Sequence, residues 1–466
     1  MRDQLSHEIN INAKDISALE TQLLHARMLG KNLREMAQCL QSQDAPVRLL
    51  TRDILYHIFH FFSTQMITIP QSQHARSEIQ SLSEVCLEWR NIIHSSPAFW
   101  TGLALDVELM SDCHLVTLQK YLERGAQCDR SVMFLGQVNE PDKTDLHIWH
   151  KAIHLVAKHS LNVRCLQFDV RCSRRQVYQF SFPSVDTGWP GLREMHIIIP
   201  PIDNLAMLPA FHTFIDNSNS FLTSLHLEGI MIPALCTILG SDRCKSLERV
   251  WLSLDIVSRD IYPYPVPSAV FLNSLRWLQL ESSWDNPLSE LLGQLGSCLV
   301  SAKLSSLSFL SGGGVKRDLT NVMLKFILET QCLDSLHDLT LRDIPTFLPL
   351  LTNLPGLTKL SLTSTVSGGN MFSCGNMTGL DWRYGKLVPR LKSLTLCIAN
   401  GGQYKNHPTI RIEWLDKIFV SRRKQDDCSL LERLCLVVPG AEMSMYQGNE
   451  RLARMASEVE LTIVEG

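Results

Sequence analysis

The chain has 466 residues, which is enough for about three domains or one long repetitive domain. Its 44 lysines and arginines against 47 aspartates and glutamates give a formal net charge of −3, so we expect no nucleic-acid partner. The 14 cysteines include no Cys-x-x-Cys pair, which favours reduced thiols in an intracellular compartment. No run of about 18 apolar residues is present, so we expect a cytoplasmic and/or nuclear protein without membrane contact.

Residues 1–43 carry a heptad pattern that predicts a helix. Apolar or small residues recur at alternating steps of three and four along this segment. These seam positions are Ile9, Ile16, Leu19, Leu23, Ala26, Gly30, Leu33, Ala37 and Leu40. Asn12 interrupts the seam, and its small residues leave it thin. Two alternatives remain open, an amphipathic helix lying on the rest of the protein and weak self-association through residues 9–40.

Residues 44–105 form the next predicted unit, a small all-α module. Thr51 is a suitable N-cap for a first helix, which is expected to bury an apolar stripe of Ile54, Leu55, Ile58, Phe59 and Phe62. A polar loop over residues 63–77 precedes a second helical stripe, which comprises Ile79, Leu82, Val85, Cys86, Trp89 and Ile93. A unit of about 60 residues buries little surface, so this many large apolar side chains indicate that a partner covers some of them.

Three short motifs follow one another in this unit. They are Leu50-Thr51-Arg52-Asp53-Ile54-Leu55 with Ile58-Phe59, then Ser83-x-Val85-Cys86-x-x-Trp89-Arg90-x-x-Ile93, then Pro97-x-x-Trp100. This order resembles the F-box, the adaptor-binding module of cullin-RING ubiquitin ligases. It is especially similar to the large F-box families of mushroom-forming fungi, although Thr51 stands where the usual box has a proline.

The resemblance implies that this unit binds the Skp-type adaptor of a cullin complex through a mostly apolar surface. The residues expected to form that surface are Leu50, Ile54, Leu55, Ile58, Val85, Trp89 and Trp100. It also implies that any catalysis belongs to other subunits of the ligase.

A repeat fills most of the remaining chain. The pattern apolar-x-x-apolar-x-apolar recurs at intervals of 21 to 40 residues. Its ten triads are Val163/Leu166/Phe168, Leu192/Met195/Ile197, Leu222/Leu225/Leu227, Leu247/Val250/Leu252, Leu275/Leu278/Leu280, Leu304/Leu307/Phe309, Leu336/Leu339/Leu341, Leu357/Leu360/Leu362, Leu391/Leu394/Leu396 and Leu431/Leu434/Leu436. This spacing is typical of leucine-rich repeats, whose unit is one strand and a return helix.

We therefore predict an α/β fold. A leucine-rich-repeat-like solenoid over residues 151–466, with parallel strands on its concave face and helices outside, follows a linker with capping helices over residues 106–150. Segments 288–295 and 321–330 are predicted helices between strands. The alternative is an ordinary α/β sheet in which the triads match by chance.

Ten strands at about 4.8 Å spacing would make a concave surface roughly 45 Å long, which suits a protein partner. Alternate strand residues point out of that surface, and Trp251 and Trp277 are expected at equivalent positions of adjacent repeats. With Arg249 they are the predicted hot spot, because aromatic and arginine anchors dominate interface energies. The full predicted substrate-binding set is His226, Glu228, Arg249, Trp251, Trp277 and Arg342. The alternative is that these tryptophans pack against a neighbouring loop.

Other candidate motifs carry little chemistry. His147, His150 and His154 follow helical spacing, but no cysteine or carboxylate shares their register to complete a metal site. The glycine-rich segment 311–316 lacks the Gly-Lys-Ser/Thr ending of a phosphate-binding loop. No catalytic serine or cysteine motif is present, so we expect no cofactor, no metal and no enzymatic activity.

The sequence thus predicts the substrate-recruiting subunit of a cullin-RING, SCF-type ubiquitin ligase, with an unidentified protein substrate held by the solenoid. The alternative is a protein-interaction scaffold without a ligase role. Co-purification of the adaptor distinguishes the two.

Overall fold

The structure is a computed structural model of the full chain. It describes residues 16, 19–34, 50–62, 66–70, 77–138, 143–172, 188–198, 214–216, 221–229, 235, 238–254, 270–282, 285–300, 303–311, 319–344, 346–365, 371–372, 374–381, 387–399, 410–423 and 428–465. The chain divides into two compact units. The first comprises residues 1–65 and 78–95, and the second comprises residues 66–77 and 96–466.

The described secondary structure of the first unit is helical. Its helices are α1 over residues 19–34, α2 (Arg52–Phe62), α3 (Glu78–Ser83) and α4 (Leu87–Ser95). Helix α2 begins directly after Thr51, as predicted, and the backbone N–H of Leu55 donates to the Thr51 carbonyl at 3.0 Å. A hydrogen bond of 2.8 Å from the Arg52 guanidinium to the Ser95 hydroxyl joins the start of α2 to the end of α4.

Helix α1 exposes the apolar seam that the heptad pattern predicts. The side chains of Leu19, Leu23 and Leu33 are 63%, 51% and 65% exposed. The described part of the seam is therefore exposed, and both alternatives for this segment stay predictions. The seam positions Ile9, Ala37 and Leu40 lie outside the described residues.

The second unit is mixed α/β and contains a sheet of 14 parallel strands. The strands of the sheet follow one another in chain order. They are β1 (Ile67–Ile69), β2 (Gly102–Asp106), β3 (Arg130–Val138), β4 (Val163–Cys172), β5 (Glu194–Ile198), β6 (Ser224–Glu228), β7 (Arg249–Leu254), β9 (Trp277–Ser282), β11 (Ser306–Ser311), β12 (Asp338–Arg342), β13 (Lys359–Ser364), β14 (Ser393–Ile398), β15 (Arg433–Val438) and β16 (Glu460–Glu465). Strands β8 (Val270–Phe271) and β10 (Leu299–Val300) pair separately.

Helices connect many of these strands. Their bounds are α5 (Asp112–Arg124), α6 (Lys143–Ala157), α7 (Asp285–Cys298), α8 (Leu319–Glu329), α9 (Leu348–Leu351), α10 (Cys374–Leu380), α11 (Ile412–Arg423), α12 (Gly440–Tyr446) and α13 (Glu450–Ala456). The predicted helices over 288–295 and 321–330 correspond to α7 and α8. No described helix is long and apolar enough to cross a membrane.

All ten predicted triads lie in the core. Each triad member is at most 5% exposed, and the triads stay in register from strand to strand. Leu278, for example, lies beside Val250 on one side and Leu307 on the other. The helices pack on this buried face, as the 6.2 Å separation between the rings of Phe309 on β11 and Phe326 on α8 illustrates.

Four strands of the sheet were not predicted. Strand β1 lies within the segment 63–77 that we predicted as a polar loop, and β2 lies within the segment 44–105 assigned to the all-α module. Strand β3 lies within the predicted linker 106–150, which pairs with the sheet instead of only capping it. Strand β16 extends the sheet beyond the last triad. The parallel array therefore begins near residue 67.

A buried polar position follows several triads. Ser282, Ser311, Asp343 and Ser364 each lie two residues after a triad and are at most 1% exposed. The Asp343 carboxylate accepts a 2.6 Å hydrogen bond from the backbone N–H of Thr365. Asp343 also has a φ of 56°, a left-handed conformation that aspartate tolerates better than most residues. At this position the Asp343 side chain thus satisfies a backbone group of the next repeat.

Candidate functional site

Helix α2 presents an exposed apolar face in the first unit. Ile54, Ile58, Phe61 and Phe62 are 46%, 38%, 81% and 41% exposed, and their spacing places them along one side of the helix. These four residues are called the α2 face below. The sequence predicted a single buried stripe that included Ile54, Ile58 and Phe62, and this was wrong for those three side chains.

The other side of α2 is buried. Leu55 and Phe59 are at most 1% exposed, and the Phe59 ring lies 4.8 Å from the ring of Trp89 on α4. This division explains the α2 face, because a short helix packs one side into the protein and leaves the other in solvent.

The predicted adaptor-binding residues fall into three classes. Ile54, Ile58 and Val85 are exposed, and Leu50 and Trp89 are half-buried. Leu55 and Trp100 are both 1% exposed, so neither side chain is available on the surface.

Trp100 lies in the second unit, where its ring is 4.9 Å from the Tyr121 ring and 4.7 Å from the Arg124 guanidinium. It is the first member of a further buried triad with Leu103 and Leu105.

Sequence reasoning did not include three exposed apolar residues, Phe61, Phe62 and Leu87, in the predicted adaptor-binding surface. Phe61 and Phe62 belong to the α2 face, and Leu87 at the start of α4 is 68% exposed. Phe61 was outside the predicted stripe, although its position seven residues after Ile54 gives it the same side of a helix. That spacing was the available signal.

The sheet carries its half-buried polar and aromatic residues on the face opposite the triads, called the outer face below. All six predicted substrate-binding residues lie on it, because they alternate with buried strand residues. The imidazole of His226 stacks on the indole of Trp251, with ring centres 3.9 Å apart and planes 11° apart. His196 lies next in the same row, 5.3 Å from His226.

The two tryptophans of the predicted hot spot are not at equivalent positions. Trp251 pairs with Gln279 in the register, and Trp277 pairs with Arg249. The expectation of equivalence was wrong by two residues, so the tryptophans are diagonal neighbours on adjacent strands. Diagonal pairs lie about 7–8 Å apart, a distance that large aromatic side chains span.

The predicted arginines form ion pairs across an intervening strand. Arg249 lies 2.9 Å from the Glu194 carboxylate, and Arg342 lies 3.6 Å from that of Glu281. Both pairs are partly exposed, so each contributes little to stability. They neutralise charge on the outer face, which also carries the aromatic row of His196, His226 and Trp251.

Two polar atoms in this row lack hydrogen-bond partners. They are Nε2 of His226 and Nε1 of Trp251, and both atoms are buried. Burial, with a smaller contribution from the neighbouring His196, lowers the pKa of His226 to about 4. The imidazole is therefore neutral near pH 7 and stacks on Trp251 as an uncharged ring.

Acidification should destabilise the protein partly through His226. The unfolded chain protonates this imidazole below about pH 6.5, whereas the folded chain does not until about pH 4. The free energy of unfolding that the neutral His226 contributes is fully present above about pH 6.5 and is lost as the pH falls from about 6.5 to about 4. We expect His226→Gln to reduce the drop in the urea midpoint between about pH 7 and about pH 5.

The exposed His154 on α6 provides the control, and His154→Gln should leave the pH-dependent drop unchanged. A drop of equal size in His226→Gln and the parent chain would contradict this assignment.

No protein-family model and no curated protein sequence matches this chain.

Proposed function

We propose that the protein is the substrate-recruiting subunit of a cullin-RING ubiquitin ligase. In this proposal the first unit is an F-box that binds a Skp-type adaptor, and the second unit holds a protein for ubiquitin transfer by other subunits. The observation that carries it is the α2 face, four large apolar side chains exposed on one helix of a small helical unit. Such a patch needs a partner, because monomeric proteins rarely expose contiguous apolar surface.

The proposal also includes a leucine-rich-repeat-like solenoid for the second unit. Parallel strands that follow chain order, most of them with a buried triad, support that interpretation. The outer face would then be the concave surface of the solenoid. Its length and its mixture of aromatic and paired charged residues favour a protein ligand over a small metabolite.

Direct binding tests the proposal. The purified full chain should retain a purified Skp-type adaptor, and tagged chain from cells should co-purify adaptor and cullin from the cytoplasm or nucleus. A chain that captures other proteins but neither of these would favour the alternative, a non-catalytic scaffold. Self-association through residues 9–40 stays a separate prediction, tested by the mass of the purified chain in solution.

The outer face should bind the protein substrate through its tryptophans. We expect Trp251→Ala/Trp277→Ala to weaken substrate capture by at least about 2 kcal/mol, since both are large half-buried aromatic side chains at the centre of the predicted surface. The measurement is the set of proteins captured from cells by parent and variant chains, quantified by mass spectrometry.

Adaptor binding is the internal control, because both substitutions lie in the second unit and the α2 face lies in the first. It should remain at the parent level. An unchanged set of captured proteins in the double variant would place substrate binding elsewhere than on strands β7 and β9.

A further inference from the structure

Three potential metal ligands meet on the outer face of the sheet. The Cys165 thiol, a carboxylate oxygen of Glu194 and a ring nitrogen of His196 all lie within 4.8 Å of one another. The strand register explains this proximity, because Cys165 on β4 pairs with Glu194 on β5. His196 follows Glu194 by two residues, so both side chains lie on the same face. All three residues are half-buried and therefore accessible to an ion.

The separations suit zinc after small side-chain adjustments. Bonds of about 2.0–2.3 Å in a tetrahedral zinc site place neighbouring ligand atoms about 3.5 Å apart. The three ligand atoms now lie within 4.8 Å of one another. Each atom would move by little more than about 1 Å to reach the separations of a tetrahedral zinc site. Rotation about the side-chain bonds of the glutamate and the histidine supplies movements of that size.

The chemistry of the ligands selects the metal. Thiolate, imidazole and carboxylate together match Zn²⁺, whereas Mg²⁺ and Ca²⁺ prefer sites made of oxygen atoms alone. We propose that Cys165, Glu194 and His196 bind one zinc ion, with the fourth coordination position open to water or to a group from a bound protein. This proposal is independent of the ligase role.

Neighbouring residues hold the ligands in place. The Arg249 guanidinium donates to Oε1 of Glu194 at 2.9 Å, which leaves Oε2 for the metal. The Ser131 side chain hydrogen-bonds with the Cys165 thiol. Hydrogen bonds of this kind to ligating groups typically orient the ligands of metal sites.

The local electrostatics are compatible with a bound cation. Burial lowers the pKa of His196, so its imidazole is neutral near pH 7, which is the form that binds metal. Burial raises the pKa of Cys165 to about 11, because a lone thiolate is poorly solvated there. A divalent cation would compensate that cost, since its charge stabilises the thiolate directly.

Metal titration of the full chain tests the site. After removal of metal with a chelator, we expect the chain to bind one Zn²⁺, measured by competition with a chromophoric chelator. Co²⁺ bound at the same site should show a thiolate-to-cobalt charge-transfer band and the absorption of tetrahedral cobalt. Cys165→Ser should abolish the charge-transfer band. Cys165→Ser and His196→Gln should each weaken zinc binding by at least about 10-fold, because substitution of a residue that only hydrogen-bonds to a ligand already causes a loss of that size.

Cys435→Ser is the matched control. Cys435 is also half-buried on the outer face, but its register neighbours are Thr395 and Thr462, which do not form a zinc site with it. This variant should bind zinc like the parent chain. Circular dichroism verifies the fold of each variant. Glu194→Gln, which nearly preserves the shape of the side chain, tests the third ligand in the same way. Absence of stoichiometric zinc binding, or binding that Cys165→Ser and His196→Gln leave unchanged, would overturn the proposal.

Discussion

The double substitution Ile54→Asp/Ile58→Asp should abolish binding of the Skp-type adaptor. Both side chains belong to the α2 face and are partly exposed, so aspartates at these positions stay hydrated in the free protein. In the proposed complex the same carboxylates would be buried without partners against an apolar surface. We expect adaptor affinity to fall at least about 100-fold, since each interface anchor contributes about 2 kcal/mol or more. Biolayer interferometry with purified adaptor measures the change.

Two further variants make this result interpretable. Leu161→Asp replaces a leucine that is 71% exposed in the second unit, and it should leave adaptor binding unchanged. Leu55→Asp is unsuitable as a binding test, because Leu55 is 1% exposed and a buried carboxylate would unfold the helix packing. Undiminished adaptor binding by a folded Ile54→Asp/Ile58→Asp chain would remove the F-box interpretation.

The triads made the core of the sheet predictable. Two apolar residues separated by one position must share a strand face, and ten repeats of that pattern left little choice of register. The unpredicted strands were missed for different reasons. Trp100/Leu103/Leu105 is a full triad, but its aromatic first member was assigned to the F-box motif. Strand β1 has three residues and β16 is largely exposed, so neither carries a clear triad.

The side-chain pairings of the outer face depend on contacts that a local pattern does not contain. Arg249 reaches Glu194 across the intervening strand β6, and 55 residues separate the two in the chain. The Cys165, Glu194 and His196 cluster likewise joins two strands, whereas the sequence search tested histidines spaced along one helix. Ser224 lies between Glu194 and Arg249 in the register, and its small side chain leaves room for the ion pair. A small residue at that position permits the pair but does not predict it. Only the strand register brings these groups together.

The substitution Leu278→Ala should cost about 2–5 kcal/mol of unfolding free energy. Leu278 is 1% exposed and is the central member of its triad, so truncation loses buried apolar surface and leaves a cavity. Because the sheet is built from successive repeats, the loss should act mainly on the neighbours that share the cavity. We expect amide hydrogen exchange to rise most in β7, β9 and β11, where Val250 and Leu307 flank Leu278.

Gln279→Ala is the matched control for this prediction. Gln279 is the next residue of the same strand, but it lies half-buried on the outer face beside Trp251, so its truncation leaves no core cavity. It should cost less than about 1 kcal/mol and change exchange little. If Leu278→Ala instead raises exchange equally from β2 to β16, the strands unfold as one cooperative core. That result would contradict neighbour-by-neighbour stabilisation and, with it, the solenoid interpretation of the second unit.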